Sequence, residues 1–243
     1  MSARRFFVEG MHTEGDAVQI GPSDAHKIAH VLRLQSGDVI EIVDSAAVLF
    51  DAKLTVDAHG TRAVLFAGRT SGRELRVEID VAQGIPKGQK MDFVVEKLTE
   101  LGAHAILPFE SERSVAHDVG SAKLERWRRL AKSAALQSGR TVVPEVIDPQ
   151  TLDDILARCA SYDVALFPWE VAAQNPLRAM LPALIAGATR ILIVIGPEGG
   201  FSHAEAERAA AAGAHRISLG ARILRTETAA LALLAILAYE CAK

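Results

Sequence analysis

Two short stretches concentrate the residue types that hold ligands and move protons. The first, RILIVIGPEGGFSHAEAE, is a continuous apolar run that gives way to Gly196-Pro197-Glu198-Gly199-Gly200 and then to a helix start. Ser202 and Glu205 have capping-box spacing and mark that start independently. Glycines between the carboxyl end of a strand and a helix let a ligand reach main-chain N–H groups that nothing else satisfies. A side chain at Gly199 is expected to stand where the backbone must approach that ligand. The spacing fits neither the dinucleotide fingerprint nor the phosphate-loop signature, and a tight turn built on glycine explains the local sequence equally well.

The second stretch is Leu219-Gly220-Ala221-Arg222-Ile223-Leu224-Arg225-Thr226-Glu227-Thr228. Two arginines, a carboxylate and two hydroxyls fall within seven residues, and such groups are costly beside buried elements unless they find partners. A capped helix start, with Thr226 as the cap and Glu227 in the first turn, accounts for the threonine and the glutamate. It does not account for Arg222 and Arg225, which point to a site.

Positioning these stretches requires strands that end beside one another. From Leu75 onward, apolar strand candidates (LRVEIDVA, HAILPF, DVALF, RILIVIG and the short HRISL) alternate with segments of helical spacing. Met91, Val94, Val95, Leu98 and Leu101 recur at helical intervals, and Gly102 stops the helix. The alternation predicts an α/β domain with a parallel sheet covered on both faces. The terminal segment TAALALLAILAYE is too apolar for an ordinary exposed helix, and is expected to be buried against the sheet or a second subunit. A homodimer burying Leu231, Leu234 and Ile236 would fix Arg222 and Arg225 beside a ligand.

The first seventy or so residues differ. DVIEIVD, AVLFDAKLTV and TRAVLFAG predict a small β-rich unit. One helix is expected to interrupt it, starting after Pro22-Ser23-Asp24, running through HKIAHVLRL and stopping before Ser36-Gly37-Asp38. Gly68-Arg69-Thr70-Ser71-Gly72 marks a boundary between domains spanning 1–72 and 73–243.

Composition narrows the function classes. The 243 residues hold ordinary globular proportions of apolar and charged side chains, so disorder and fibrous classes are excluded. Two cysteines, Cys159 and Cys241, offer neither a disulfide framework nor a zinc site, and no metal is expected. The start, MSARRFFVEG, lacks the apolar run of a secretory signal, and Ala229 to Tyr239 is far shorter than the roughly 20 residues a membrane span needs. A cytoplasmic protein without membrane partners is therefore expected. The net charge of −3 argues against indiscriminate coating of nucleic acid. Between Arg113 and Arg140, however, seven basic residues (Arg113, Lys123, Arg126, Arg128, Arg129, Lys132, Arg140) face two acidic ones (Asp118, Glu125). Any nucleic-acid contact is expected to include this stretch.

The two site stretches, taken with KGQKMDFVVEKLTELGAHAILPFESERSV and ERWRRLAKSAALQSGRTVVPEV, resemble the RsmE family of knotted (SPOUT) methyltransferases. Arg4-Arg5-Phe6, His30-Val31-Leu32-Arg33 and Gly37-Asp38 extend the resemblance over nearly the whole chain. It implies a PUA-like RNA-binding N-terminal domain, a C-terminal domain with a trefoil knot, and a homodimer. It further implies S-adenosylmethionine-dependent methylation of uridine N3 in small-subunit (16S) ribosomal RNA near the decoding site. Carried over by motif, the cofactor would lie against Ile195, Gly196, Pro197, Glu198, Gly199, Gly200, Leu219, Gly220, Arg222, Leu224, Arg225, Thr226 and Glu227. RNA would meet Arg4, Arg5, Arg33, Arg126 and Arg129. A third loop should follow DVALF, where the family often has His-Glu and this chain has Phe167-Pro168-Trp169-Glu170.

Such chemistry needs alignment of the methyl carbon with N3, loss of the N3 proton, and stabilisation of the negative charge on the ring. Arg225 is the candidate for that charge, with Glu227 or a water as proton acceptor. Other titratable residues have plainer readings. His104 and His215 are expected to be turn residues, His203 to be solvated, and Trp127 to be core rather than a base-stacking platform. His26 and His30 share a helical face without the further ligands a metal needs.

Overall fold

The computed structural model describes residues 4–57, 60–114, 119–172 and 174–241. Asp118, counted above in the basic stretch, and Val115, in the quoted motif, lie outside the described residues. The chain forms two compact units, Met1–Glu74 with Leu136–Val142, and Leu75–Ala135 with Val143–Lys243.

The first unit is a five-stranded sheet built from β1 (Arg5–Phe7), β2 (Ala17–Gln19), β3 (Val39–Val43), β4 (Val48–Asp57) and β5 (Gly60–Thr70), in the order β1-β3-β4-β5-β2. β1 runs parallel to β3 and the other pairs are antiparallel. Alternation decides the faces: Thr61, Ala63 and Leu65 of β5 are buried while Arg62, Val64 and Phe66 are exposed. The inward side chains join Phe6, Ile28, Ile40, Ile42 and Leu54 in one core.

The helix of this unit differs from expectation. Helix α1 (Pro22–His26) begins at Pro22 rather than after the Pro-Ser-Asp stretch, with Gly21 as N-cap. Proline suits the first helical position because its missing N–H would have no helical partner there. The helix then widens into a π-helical turn over Lys27–Val31, and Arg33 adopts a left-handed conformation at φ 54°.

Arg5 requires a correction. Its side chain is only 4% exposed, donating to Glu41 at 2.8 and 2.9 Å and to the Gly139 and Arg140 carbonyls. A guanidinium so committed holds the unit together and is not displayed to RNA.

The second unit is a seven-stranded, wholly parallel sheet. It comprises β6 (Glu78–Gly84), β7 (Ala105–Glu110), β8 (Glu145–Val146), β9 (Gln150–Thr151), β10 (Val164–Pro168), β11 (Arg190–Ile195) and β12 (His215–Ile217). The order is β12-β10-β11-β6-β7-β8, with β9 also on β7. Helices α2 (Lys90–Glu100), α3 (Ser121–Ser138), α4 (Leu152–Ala157), α5 (Leu177–Leu184), α6 (His203–Ala211) and α7 (Thr226–Cys241) accompany it, α3 running on into the first unit. The apolar strands carry separate cores on their two faces, as parallel sheets require. After β6 the chain moves outward to β7, whereas after β11 it moves the other way, to β12. The carboxyl ends of the adjacent β6 and β11 therefore flank a topological switch point, where α/β sheets open a crevice.

Two expectations about helices are resolved here. Trp127 is fully buried and its indole donates to Asp92 at 3.1 Å, so it is core. Leu234 is also fully buried, within its own unit's core, whereas Leu231 is partly buried and Ile236 is 41% exposed. The expected burial of Leu234 by a second subunit is thus corrected, because the sheet face and α2 already cover it.

Candidate cofactor site

Three loops at the carboxyl ends of β10, β11 and β12 enclose a cavity of about 440 Å³, within the size range of small-molecule sites. Twelve of the thirteen cofactor-site residues expected from sequence line it: Ile195, Gly196, Pro197, Glu198, Gly199, Gly200, Leu219, Gly220, Arg222, Leu224, Arg225 and Thr226. Glu227 does not. Its Oε2 is buried without a hydrogen-bond partner, and it lies in the chain between the lining residues Thr226 and Ala229.

The β11 loop is held from several sides. The Glu198 carboxylate accepts from the Lys87 N–H and from Lys90 Nζ at 2.8 Å. Burial raises the Glu198 pKa, but Lys90 and the main-chain donors outweigh it and hold the carboxyl below its usual range. Lys90 is correspondingly pushed up by Glu198, with Glu227 reinforcing the shift and Arg225 opposing it. At the far end Phe201 is buried, stacked on Phe167. Ser202 and Glu205 form the expected capping box, and Glu205 also accepts from the Glu112 N–H at 2.9 Å.

The glycines have separate reasons. Gly200 is left-handed at φ 64°. Gly199 is not, and a Cβ there would come within 2.9 Å of the Arg113 Cβ and 3.2 Å of its carbonyl oxygen. Arg113 Nη1 also donates to the Gly199 carbonyl at 3.1 Å. Glycine at 199 therefore admits the loop after β7, a packing reason that stands beside its place in the cavity lining. Gly84, at the end of β6, is the tighter contact: a Cβ there would sit 2.5 Å from the Pro197 nitrogen.

The β12 loop is open by contrast. Gly220 (φ 115°) makes its turn, Arg222 and Arg225 are exposed and form no ion pair with a described residue, and Ile223 is 88% exposed. Thr226 is not the expected helix cap. The Arg225 carbonyl accepts the first helical N–H, from Ala229, while the Thr226 hydroxyl donates to the Gly196 carbonyl.

The third loop contributes Pro168, Trp169 and Glu170. Trp169 meets His203 edge-on at 5.1 Å and lies under Arg216, and the Glu170 carboxylate lies against Gly200. Sequence reasoning missed Lys90, Gly84 and Gln83. The signal was present, since VAQG ends an apolar strand with an amide and a glycine.

Three arginines of the basic stretch pair with described carboxylates, most of them distant in the chain. Arg126 pairs with Asp92, Arg128 with Glu125 and Asp148, and Arg140 with Glu74. Arg129, Arg33 and Arg4 remain exposed. At the opposite, amino-terminal end of the strands, His104 is more than a turn residue. Its Nδ1 lies 2.8 Å from Asp80, whose other oxygen accepts from the Tyr162 hydroxyl. Burial, then the Asp80 hydrogen bond, push the Tyr162 phenol well above its usual range. No group of three or more His, Cys, Asp or Glu residues could hold a metal ion among the described residues.

Residues 73–238 match the family model described as an RNA methyltransferase domain. The Ribosomal RNA small subunit methyltransferase E of Bacillus subtilis (strain 168) is 33% identical over 98% of this chain and 96% of its own length. The chain belongs to the ribosomal RNA small subunit methyltransferase E family. The Synechocystis member is 34% identical over 87% of this chain and 69% of its own. The crystal structure of the Neisseria gonorrhoeae member, bound to S-adenosyl methionine, aligns with a TM-score of 0.87 and 31% identity over 98% of each chain. Family membership gives the cavity beyond β10, β11 and β12 a chemical context that its geometry alone does not.

Proposed function

We propose that this chain methylates N3 of a uridine in small-subunit ribosomal RNA, near the decoding site, using S-adenosylmethionine. In this reading residues 1–72 form a PUA-like RNA-binding domain and residues 73–243 a knotted SPOUT domain, working as a homodimer in the cytoplasm. The observation that carries it is the cavity at the carboxyl ends of β10, β11 and β12, lined by the glycine and arginine loops of a family whose Neisseria gonorrhoeae member was crystallised with that cofactor.

The lining suits the cofactor. Main-chain groups of Gly196 to Gly200 border a cavity that also has an apolar part (Leu219, Leu224, Ala229) and a carboxylate, Glu170. Glu227, with its unpartnered buried oxygen beside the lining, stays a candidate contact. When bound, S-adenosylmethionine supplies a methyl group already activated on a sulfonium. Arg225, exposed at the cavity and in no ion pair with a described residue, stabilises the negative charge that grows on the uracil ring as the N3 proton leaves. Glu227 or a water accepts that proton.

Arg4, Arg33 and Arg129 are the candidate phosphate contacts, and Arg126 shares its charge with Asp92. Support for the homodimer comes from Phe93 on α2 and Ile236 and Tyr239 on α7, apolar side chains 47%, 41% and 71% exposed on two helices that pack together. Mass-spectrometric mapping of methylated uridines in ribosomal RNA from cells with and without the protein tests the whole reading. One N3-methyluridine of the small subunit should vanish with the gene. An unchanged small-subunit pattern, or loss of a methyl group from transfer RNA instead, overturns it.

A further inference from the structure

Gln83 is completely buried, in a strand whose residues 79–84 are all buried. Were packing its only task, an apolar side chain of the same length would serve without burying an amide whose Oε1 has no partner. Its Nε2 donates to the Thr226 hydroxyl at 2.8 Å and to the Gly84 carbonyl at 2.9 Å. The hydroxyl has one proton, which it gives to the Gly196 carbonyl, so it can only accept from Gln83. The result is a one-directional chain, Gln83 to Thr226 to Gly196. It ties the end of β6 to the first residue of the glycine loop and the first residue of α7. The main chain reinforces the placement, because Gln83 pairs with Ile195, the residue before that loop.

We infer that Gln83 is a positioning residue of the methyl-transfer site, setting the glycine loop and the arginine loop in register through Thr226. This deepens the proposed function and rests on the cavity being the cofactor site. The amide acts at a distance: it does not line the cavity, but both loops that do are referenced to it. A carboxylate of the same shape cannot replace it, since an oxygen facing the Thr226 hydroxyl would have no proton to donate.

The test compares Gln83→Glu, Thr226→Val, Thr226→Ser and the double variant Gln83→Glu/Thr226→Val. Calorimetric titration with S-adenosylmethionine is paired with hydrogen exchange on the ligand-free proteins. Gln83→Glu and Thr226→Val should each weaken binding about tenfold, in the range of one lost buried hydrogen bond. They should also speed exchange across residues 196–200 and 219–225 while leaving α3 unchanged. Thr226→Ser, which keeps the hydroxyl, should recover most of the affinity lost in Thr226→Val. The double variant should be little worse than the worse single one, because one chain is broken in each. A folded Gln83→Glu with wild-type affinity and wild-type loop exchange overturns the inference. If that variant does not fold, Thr226→Val against Thr226→Ser decides it, and equal exchange in those two overturns it. If the wild type itself does not bind S-adenosylmethionine, the proposed cofactor fails, while loop exchange in the ligand-free variants still decides the role of Gln83.

Discussion

The loops after β11 and after β12 face the same cavity but are built on opposite principles. The first is clamped: Glu198 to Lys87 and Lys90, Gly199 to Arg113, the Gly196–Pro197 backbone on Gly84, and Phe201 in the core. The second is fastened near its ends, by the turn hydrogen bond from the Gly220 N–H to the Ser218 hydroxyl and by Thr226, and displays Arg222, Ile223 and Arg225 to solvent between them. A clamped backbone offers fixed donors and acceptors to a small ligand without reorganising at the moment of reaction. Exposed side chains on a loop held at its ends can meet a large substrate that arrives from outside. Under the proposed function, the division would leave more of the ligand holding to the first loop and the charge work of the reaction to the second.

The contrast breaks most severely at Gly84. A methyl group there would meet the main chain of Pro197 and Gly196 at 2.5 and 2.9 Å, and main chain cannot swing aside. Gly84→Ala should cost about 3 kcal/mol of stability or displace the glycine loop outright. Thermal unfolding and S-adenosylmethionine titration would register one loss or the other; a variant normal in both would mean that the loop is not clamped against β6. Arg225→Ala probes the open loop. Its side chain is exposed, so the melting temperature should hold while methyl transfer to ribosomal RNA falls about a hundredfold and cofactor affinity changes less. Labelled-methyl assays beside titrations separate the two effects, and an undiminished rate would return Arg225 to a surface role.

The clamped and open loops were not equally legible in the sequence. Both could be located, because glycine turns at the ends of apolar runs are local signals, as were all five predicted strands of the second unit. Strands β1, β2, β8 and β9 are two or three residues long, too short for periodicity to register. What escaped was pairing at long range. Nothing near Arg5 announces Glu41, and nothing near Arg126, Arg128 or Arg140 announces Asp92, Asp148 or Glu74, so a stretch that reads as strongly basic displays less charge in space than it does in sequence. Gly199 and Gly84 make the same point sterically. Both are required by neighbours far away in the chain, and only one of them sits in a conspicuous glycine run.

The smallest expected effect falls on the Glu198 clamp. The carboxylate is partly exposed and one of several restraints, so Glu198→Gln should weaken cofactor binding only about twofold to threefold. Its signature lies in pH. Glu198 titrates below its usual value in the folded protein, so its contribution to stability is complete above the ordinary carboxylate range and is lost as pH falls through the lowered folded value. The melting temperatures of wild type and Glu198→Gln should therefore differ most near neutrality and converge on acidification. High salt should narrow the neutral-pH gap as well, because the Lys90 partner is exposed to solvent. Scanning calorimetry of both proteins across that range reads the difference directly. A gap that stays constant with pH would show that the Glu198 charge does not hold the loop, leaving Gly84 and the Gln83–Thr226 chain as its restraints.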